Sequence, residues 1–279
     1  MILFSPAKIN IGLQIIERRK DGFHNLQSIM FPVGLSDILE IRRSRVKGEA
    51  FRFSQSGIKF LTPGETNLCV SAWEHFSREA TLPPVEMHLH KQIPVGAGLG
   101  GGSSNATTTL IGLNLLAGSP LAEGKLLEMS AQLGSDCPFF LHSKPMMMEG
   151  RGEILNPVSL PLDQCYLVLL FPGIHVSTAD AYDGVKPVAP EVELGELIAK
   201  PMDQWKGSVM NDFERSVFEK YPELDRLKQD LYESGALYAS LSGSGSSLYG
   251  FFTRMPELPE KLERHVIWKG RTIPPAGTI

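Results

Sequence analysis

Residues 94–105 read PVGAGLGGGSSN, with five glycines in the seven positions 96–102. Backbone this bare cannot be the interior of a helix or strand, so the segment is a loop that constrains both of its neighbours. Alternating Val85, Met87, Leu89 and Ile93 precede it as a strand, while Ala106, Leu110, Leu113 and Leu116 follow at helical spacing, with Gly118 as a stop. A glycine loop that opens a helix offers free N–H groups and a positive dipole end, which is where phosphate binds. Gly96, Gly98 and Gly101 satisfy GxGxxG, but a Rossmann unit needs a parallel strand, and the strand here reads as antiparallel. A Walker A loop would carry Lys where Gly102 stands. A flexible hinge is the plainer alternative.

At about 150 residues per domain, a chain of 279 residues is roughly two domains or one large one. With 42% hydrophobic and 21% charged residues, a disordered chain and a collagen-like fibre are excluded. Lys and Arg number 27 against 31 Asp and Glu, a net charge of −4, so no basic excess points to nucleic acid or an anionic membrane. Any anion at the glycine loop must be met by local groups. Cys69, Cys137 and Cys165 form no CxxC pair, which argues against disulfides or a zinc site and for a reducing cytoplasm. The N-terminal segment holds Pro6 and Lys8 inside its apolar stretch, unlike a signal peptide. The longest uncharged stretch, residues 92–122, is broken by Pro94, Pro120 and glycines, so no membrane span is expected.

Ala7, Ile9, Ile11, Leu13 and Ile15 alternate with Lys8, Asn10, Gly12 and Gln14, the pattern of a strand with one buried face. Lys8 and Asn10 then share the open face, with Gly12 leaving room above the backbone. A lysine so placed neutralises phosphate or activates a hydroxyl, or is merely solvated. The turn Asp21-Gly22 leads to an apolar stretch at 26–33, giving an antiparallel ribbon. Strand patterns recur at 39–53 and 85–93, with a helix at 67–80 between them and another from Ser119-Pro120 to just before Gly134. Asp136 stands in the connection GSDCP, where it serves as a general base or as a helix N-cap. The second half shows strands at 166–171, 237–241 and 248–253, helices at 211–220 and 223–234, and a turn LSGSGSS that closes over phosphates or is a plain hairpin. Phe23, His24 and Tyr182 are candidates for stacking a nucleobase, with packing as the ordinary alternative. His88 and His90 lack a third metal ligand, and the run Arg42, Arg43, Arg45, Lys47 and Arg52 reads as a solvated strand. Mixed strands and helices without a repeat give the class α+β.

In order, SPAKINIGL, GFHNLQSI, IPVGAGLGGGSSNA, LGSDCPFFL, NDFE and LSGSGSS resemble the GHMP kinase superfamily over residues 4–252, and most closely its branch acting on a cytidine diphosphate conjugate of methylerythritol. The resemblance implies a two-domain GHMP kinase fold, ribosomal protein S5 domain 2-like over 1–155 and ferredoxin-like over 156–279, with the active site between them. It implies phosphoryl transfer from ATP, with Mg²⁺, to the 2-hydroxyl of the methylerythritol unit, a step of non-mevalonate isoprenoid biosynthesis. By position, Lys8 and Asp136 match the catalytic pair. Pro94, Val95, Gly96, Ala97, Gly98, Leu99, Gly100, Gly101, Gly102, Ser103 and Ser104 match the ATP phosphate loop. Asn67 and Lys91 match adenine-side positions. Phe23, His24 and Tyr182 match the cytidine site, Phe23 standing where the family commonly has Tyr, and Asn10 and Thr178 match positions near the sugar-alcohol. The implied partner is a small molecule, neither nucleic acid nor membrane; monomer and homodimer both stay open. Two other readings remain: a GHMP kinase of the homoserine or mevalonate type, against which Phe23-His24 argues, and a nucleotide-binding module without catalysis.

Overall fold

The computed structural model describes residues 1–46, 48–58, 67–162 and 164–272. Its spine is the antiparallel ribbon of β1 (Ile2–Arg18) and β2 (His24–Arg43), connected through a turn in which Gly22 has φ +87°. The ribbon agrees with the alternating pattern, but its faces do not. Residues 5–13 of β1 are buried without interruption, so Lys8 (5% exposed) and Asn10 (2%) are on a covered face, not an open one. Gly12 has φ +63° at a register shift between Ile11 and Leu13, and a Cβ there would lie 2.7 Å from Leu194 Cδ1. That glycine therefore admits a core leucine rather than a ligand.

The strand pattern at 39–53 is two strands rather than one. β2 ends at Arg43, Gly48 turns the chain with φ +87°, and β3 (Phe51–Gly57) begins again at the sheet edge; Lys47 lies outside the described residues. β4 (Val85–Lys91) pairs antiparallel with the far end of β2 but parallel with β3, because α1 (Leu68–Glu79) carries the chain across between them. The strand before the glycine loop is thus antiparallel on one side only. β5 (Met146–Glu149) pairs with the near end of β2, and β6 (Ile154–Pro157) with β5. A boundary at 155 falls inside β6.

Three more helices, α2 (Gly101–Leu116), α3 (Glu123–Leu133) and α4 (Cys137–His142), complete this layer. Phe76, Leu110 and Leu113 pack with Ile41, Met87 and Leu89, each such side chain contributing roughly 1.5–3 kcal/mol by burial. The second sheet has the order β10-β7-β9-β8, all antiparallel: β7 (Tyr166–Leu170), β8 (Tyr238–Leu241), β9 (Leu248–Phe252) and β10 (Val266–Arg271). The short helices α5 (Thr178–Tyr182) and α6 (Leu194–Ile198) lie in the connection after β7. They are followed by α7 (Phe213–Lys220) and α8 (Pro222–Glu233), which pack on this sheet, and by α9 (Glu260–Glu263). Ile9, Ile11 and Phe31 share one core with Leu167, Leu169 and Tyr249, so β1 and β2 are common to both units. Among the described residues no helix is long and apolar enough to cross a membrane.

Candidate active site

The glycine loop leaves β4 and enters α2 through three left-handed residues, Gly96, Gly98 and Gly100. Two of them are closely covered by other side chains and backbone. A Cβ on Gly98 would lie 2.0 Å from the Ser242 carbonyl oxygen, and one on Gly100 would lie 3.0 Å from both Lys8 Cγ and Phe140 Cζ. α2 starts at Gly101, two residues before the expected Ser103, since Gly100 at φ +67° turns the chain into it. No side chain caps this helix start, which leaves its first N–H groups for an anion. The loop is also tied down, because the Lys8 amide donates to the Leu99 carbonyl at 2.9 Å.

That tie brings Lys8 beside the loop. Its ammonium donates to Asn10 Oδ1 at 2.5 Å and stands 3.4 Å from Asp136 Oδ2, while Asn10 Nδ2 donates to Ser28 Oγ at 2.9 Å. Asp136 holds the N-cap position of α4 but makes no capping bond with its side chain. The carboxylate is one-third exposed and faces Lys8, so the capping alternative fails and the paired arrangement stands. Such a pair can take a proton from a hydroxyl and hold the oxygen left behind. Cys137, next in sequence, is buried and its thiol is pushed up to about 11, chiefly by desolvation, so it stays protonated and unreactive.

A cleft of about 830 Å³ is lined by Lys8, Asn10, Phe23, Lys91, residues 94–103, Asp136, Thr178 and Tyr182, which gathers most of the sequence candidates. Ser104, Asn67 and His24 are not among its lining residues. Asn67 instead caps α1, its Oδ1 accepting from the Cys69 amide at 2.8 Å. Lys91 is sealed under the loop, paired with the buried carboxylate of Asp37, and a Cβ on Gly101 would meet its Nζ at 2.7 Å. Burial lowers the Lys91 pKa more than Asp37 restores it. His24 stacks on Tyr182 with centroids 4.8 Å apart, so a base cannot enter between those two rings. Tyr182 in turn meets Phe213 edge-on, while Phe23 stands in the cleft under the Arg151 guanidinium, 5.2 Å from the ring centroid.

Around the site, Asp37 and Asn211 are the residues that the sequence patterns do not single out. Asp37, fully buried, accepts from the Gln92 and Ile93 amides at 2.7 and 2.8 Å and from Asn105 Nδ2 at 2.9 Å, fixing the loop's entry to the helix behind it. The second Gly/Ser turn docks on the first, with Ser242 Oγ donating to the Gly98 carbonyl at 2.9 Å and Gly243 and Ser244 reaching the cleft. Asn211 Nδ2 holds that turn by the Leu241 and Gly243 carbonyls at 2.9 and 2.8 Å. The sequence signals were present: an Asp inside the apolar run LSDILEI, and the Asn that opens NDFE. His88 and His90 bond to Ser54 and Ser56 instead of a metal, and Arg42 and Arg52 pair with Glu86 and Glu49 as a solvated strand would.

The uncapped helix start suits the phosphates of ATP, while Gly98 and Gly100 let Ser242, Lys8 and Phe140 close up against the loop. No group of three His, Cys, Asp or Glu able to hold a metal is assembled among the described residues. Asp136 is the carboxylate that lines the cleft with the loop, and it would face a Mg²⁺ carried there on the nucleotide.

Residues 67–144 match the GHMP kinases N terminal domain and residues 191–266 the GHMP kinases C terminal region. A 4-diphosphocytidyl-2-C-methyl-D-erythritol kinase of Bacteroides fragilis is 47% identical over 91% of this chain and 92% of its own length. One of Parabacteroides distasonis is 42% identical over 97% and 99% of the two chains. A crystal structure of 4-(cytidine 5'-diphospho)-2C-methyl-D-erythritol kinase superposes with a TM-score of 0.76 at 32% identity, covering 90% of this chain and 89% of that one. With a glycine loop built for phosphate, two α+β units meeting over β1, and relatives of this closeness along nearly the whole length, the chain belongs to the GHMP kinases, in the 4-diphosphocytidyl-2-C-methyl-D-erythritol kinase family.

Proposed function

We propose that the chain transfers the γ-phosphoryl group of ATP to the 2-hydroxyl of 4-diphosphocytidyl-2-C-methyl-D-erythritol, a step of non-mevalonate isoprenoid synthesis in the cytoplasm. The observation that carries the chemistry is the 3.4 Å approach of Lys8 Nζ to Asp136 Oδ2 beside an uncapped glycine-loop helix. Asp136 accepts the hydroxyl proton as the oxygen attacks phosphorus. Lys8, oriented by Asn10, holds the attacking oxygen and the incoming phosphoryl, while the loop amides hold the phosphates as the bond to ADP breaks. Mg²⁺ supplies charge neutralisation at the phosphates. Little covalent help is needed, so positioning supplies most of the effect.

The substrate assignment rests on the relatives' activity and on the aromatic end of the cleft, where Phe23 and Tyr182 present rings to a base while Asn10 and Thr178 lie toward the sugar-alcohol. His24 supports this site from behind Tyr182. The test is ADP release from ATP·Mg²⁺ with the cytidine conjugate, run beside homoserine and mevalonate. Turnover with the conjugate alone is expected; turnover with either of the others would discard the cytidine site.

A further inference from the structure

Three Lys or Arg side chains line the cleft, Lys8, Lys91 and Arg151. Lys8 is committed to Asn10 and Asp136, and Lys91 to Asp37. Arg151 differs from both. It sits at the tip of the β5–β6 hairpin between two left-handed glycines, Gly150 (φ +69°) and Gly152 (φ +110°), and the Gly150 carbonyl accepts from the Leu26 amide at 2.8 Å. The tip is therefore anchored to β2 at the mouth of the cleft. The nearest carboxylate, Glu153, is bound by the Arg151 backbone amide at 2.5 Å, and the guanidinium lies 3.8 Å from it, beyond hydrogen-bond range. None of its side-chain N–H donors makes a hydrogen bond among the described residues, and its carbon centre is held 5.2 Å over the Phe23 ring. A planar, always-charged fork, stacked on an aromatic ring, half exposed, with Glu153 as a loose ion-pair partner and no hydrogen bond to it, has its donors available for the two-pronged oxygens of a phosphate.

We propose that Arg151 binds the diphosphate of the substrate, next to the base held at Phe23, and so discriminates a nucleoside diphosphate conjugate from an unphosphorylated nucleoside. The inference rests on the cytidine-conjugate reading above and adds a residue that reads its charge. The ATP phosphates have their own donors at the start of α2, so Arg151 acts on the acceptor substrate and not on the nucleotide. A charged hydrogen-bonding pair of this kind is worth about ten- to a hundredfold in affinity.

The test measures binding of CDP and of cytidine to the full chain by calorimetry, for the wild type, Arg151→Ala and Arg151→Lys, with KM for ATP and for the conjugate measured alongside. The wild type is expected to prefer CDP to cytidine by at least about tenfold. Arg151→Ala should shrink that preference to a few-fold and raise KM for the conjugate with KM for ATP unmoved, and Arg151→Lys, a cation without the fork, should fall between. A wild type without the preference, or an Arg151→Ala that retains it, overturns the proposal while leaving the cytidine site intact. A wild type that binds neither CDP nor cytidine overturns the cytidine reading itself, and the proposal with it.

Discussion

Two lysine–aspartate pairs flank the same glycine loop, Lys8 with Asp136 beside Gly100 and Lys91 with Asp37 beneath Gly101. In the second pair the side chains are 1% and 0% exposed, and Asp37 accepts three further hydrogen bonds. Its oxygens are fully used, and neither side chain is open to solvent. In the first pair Asp136 is one-third exposed, sits beyond hydrogen-bond distance from its lysine and makes no cap bond, so its lone pairs face the cleft. The residue types are the same; solvent access and the number of bonds already made separate a sealed clamp from the pair to which the proposed function gives the chemistry. A buried pair is costly to break because the surviving charge is stranded, whereas breaking a half-open pair leaves a charge that water can reach.

The sharpest way to break this comparison is to remove the cleft carboxylate. Asp136→Asn is expected to lower turnover by about 10²- to 10⁴-fold while ATP affinity and melting temperature stay close to wild type. Lys8→Ala should likewise lose more turnover than stability. Steady-state kinetics with thermal melts decide it: a variant that melts early and retains its rate per folded molecule would make this pair a second clamp. The buried pair should give the reverse pattern. Asp37→Ala strands the Lys91 ammonium together with two amides and Asn105, and is expected to cost about 3–5 kcal/mol in urea unfolding. A loss below about 1 kcal/mol would mean that the loop's entry is held by something else.

How much of this was legible in the sequence follows the same division. The glycine loop, the β1–β2 ribbon and the shared face of Lys8 and Asn10 are local patterns, and each is where the spacing put it. That the shared face is covered depends on the turn at Ser242–Gly245, more than two hundred residues away, and no period within β1 reports it. Lys91 and Asp37 are 54 positions apart, and the register that faces Ile38 with His90 brings them together. Sequence position gave Lys91 a ligand role; the pairing gives it a buried partner. His24 and Tyr182 do meet, but as a stack on each other. Asp136 reads as either base or cap, and the missing cap bond removes the cap.

A third carboxylate, Asp212, sharpens the comparison from the other side, since no cation is among the influences on it. It is half-buried, and its Oδ2 accepts from the Ile15 amide at 2.7 Å. Desolvation raises its pKa above the usual value of 3.8, and the amide only partly opposes this. The folded chain therefore holds this proton more tightly than the unfolded chain does. Its stabilising effect is full below the unfolded value and is lost as pH rises through the raised folded value, leaving the ionised group a small liability at neutral pH. Asp212→Asn keeps an acceptor for Ile15 and removes the titration. Its melting temperature relative to wild type should thus climb as pH is raised from about 3 to 7, by only about 1–2 °C because the group is partly solvated. A difference that stays flat across that range would mean that Asp212 finds compensation as good as a lysine, and that a cation is not what sets the other two carboxylates apart.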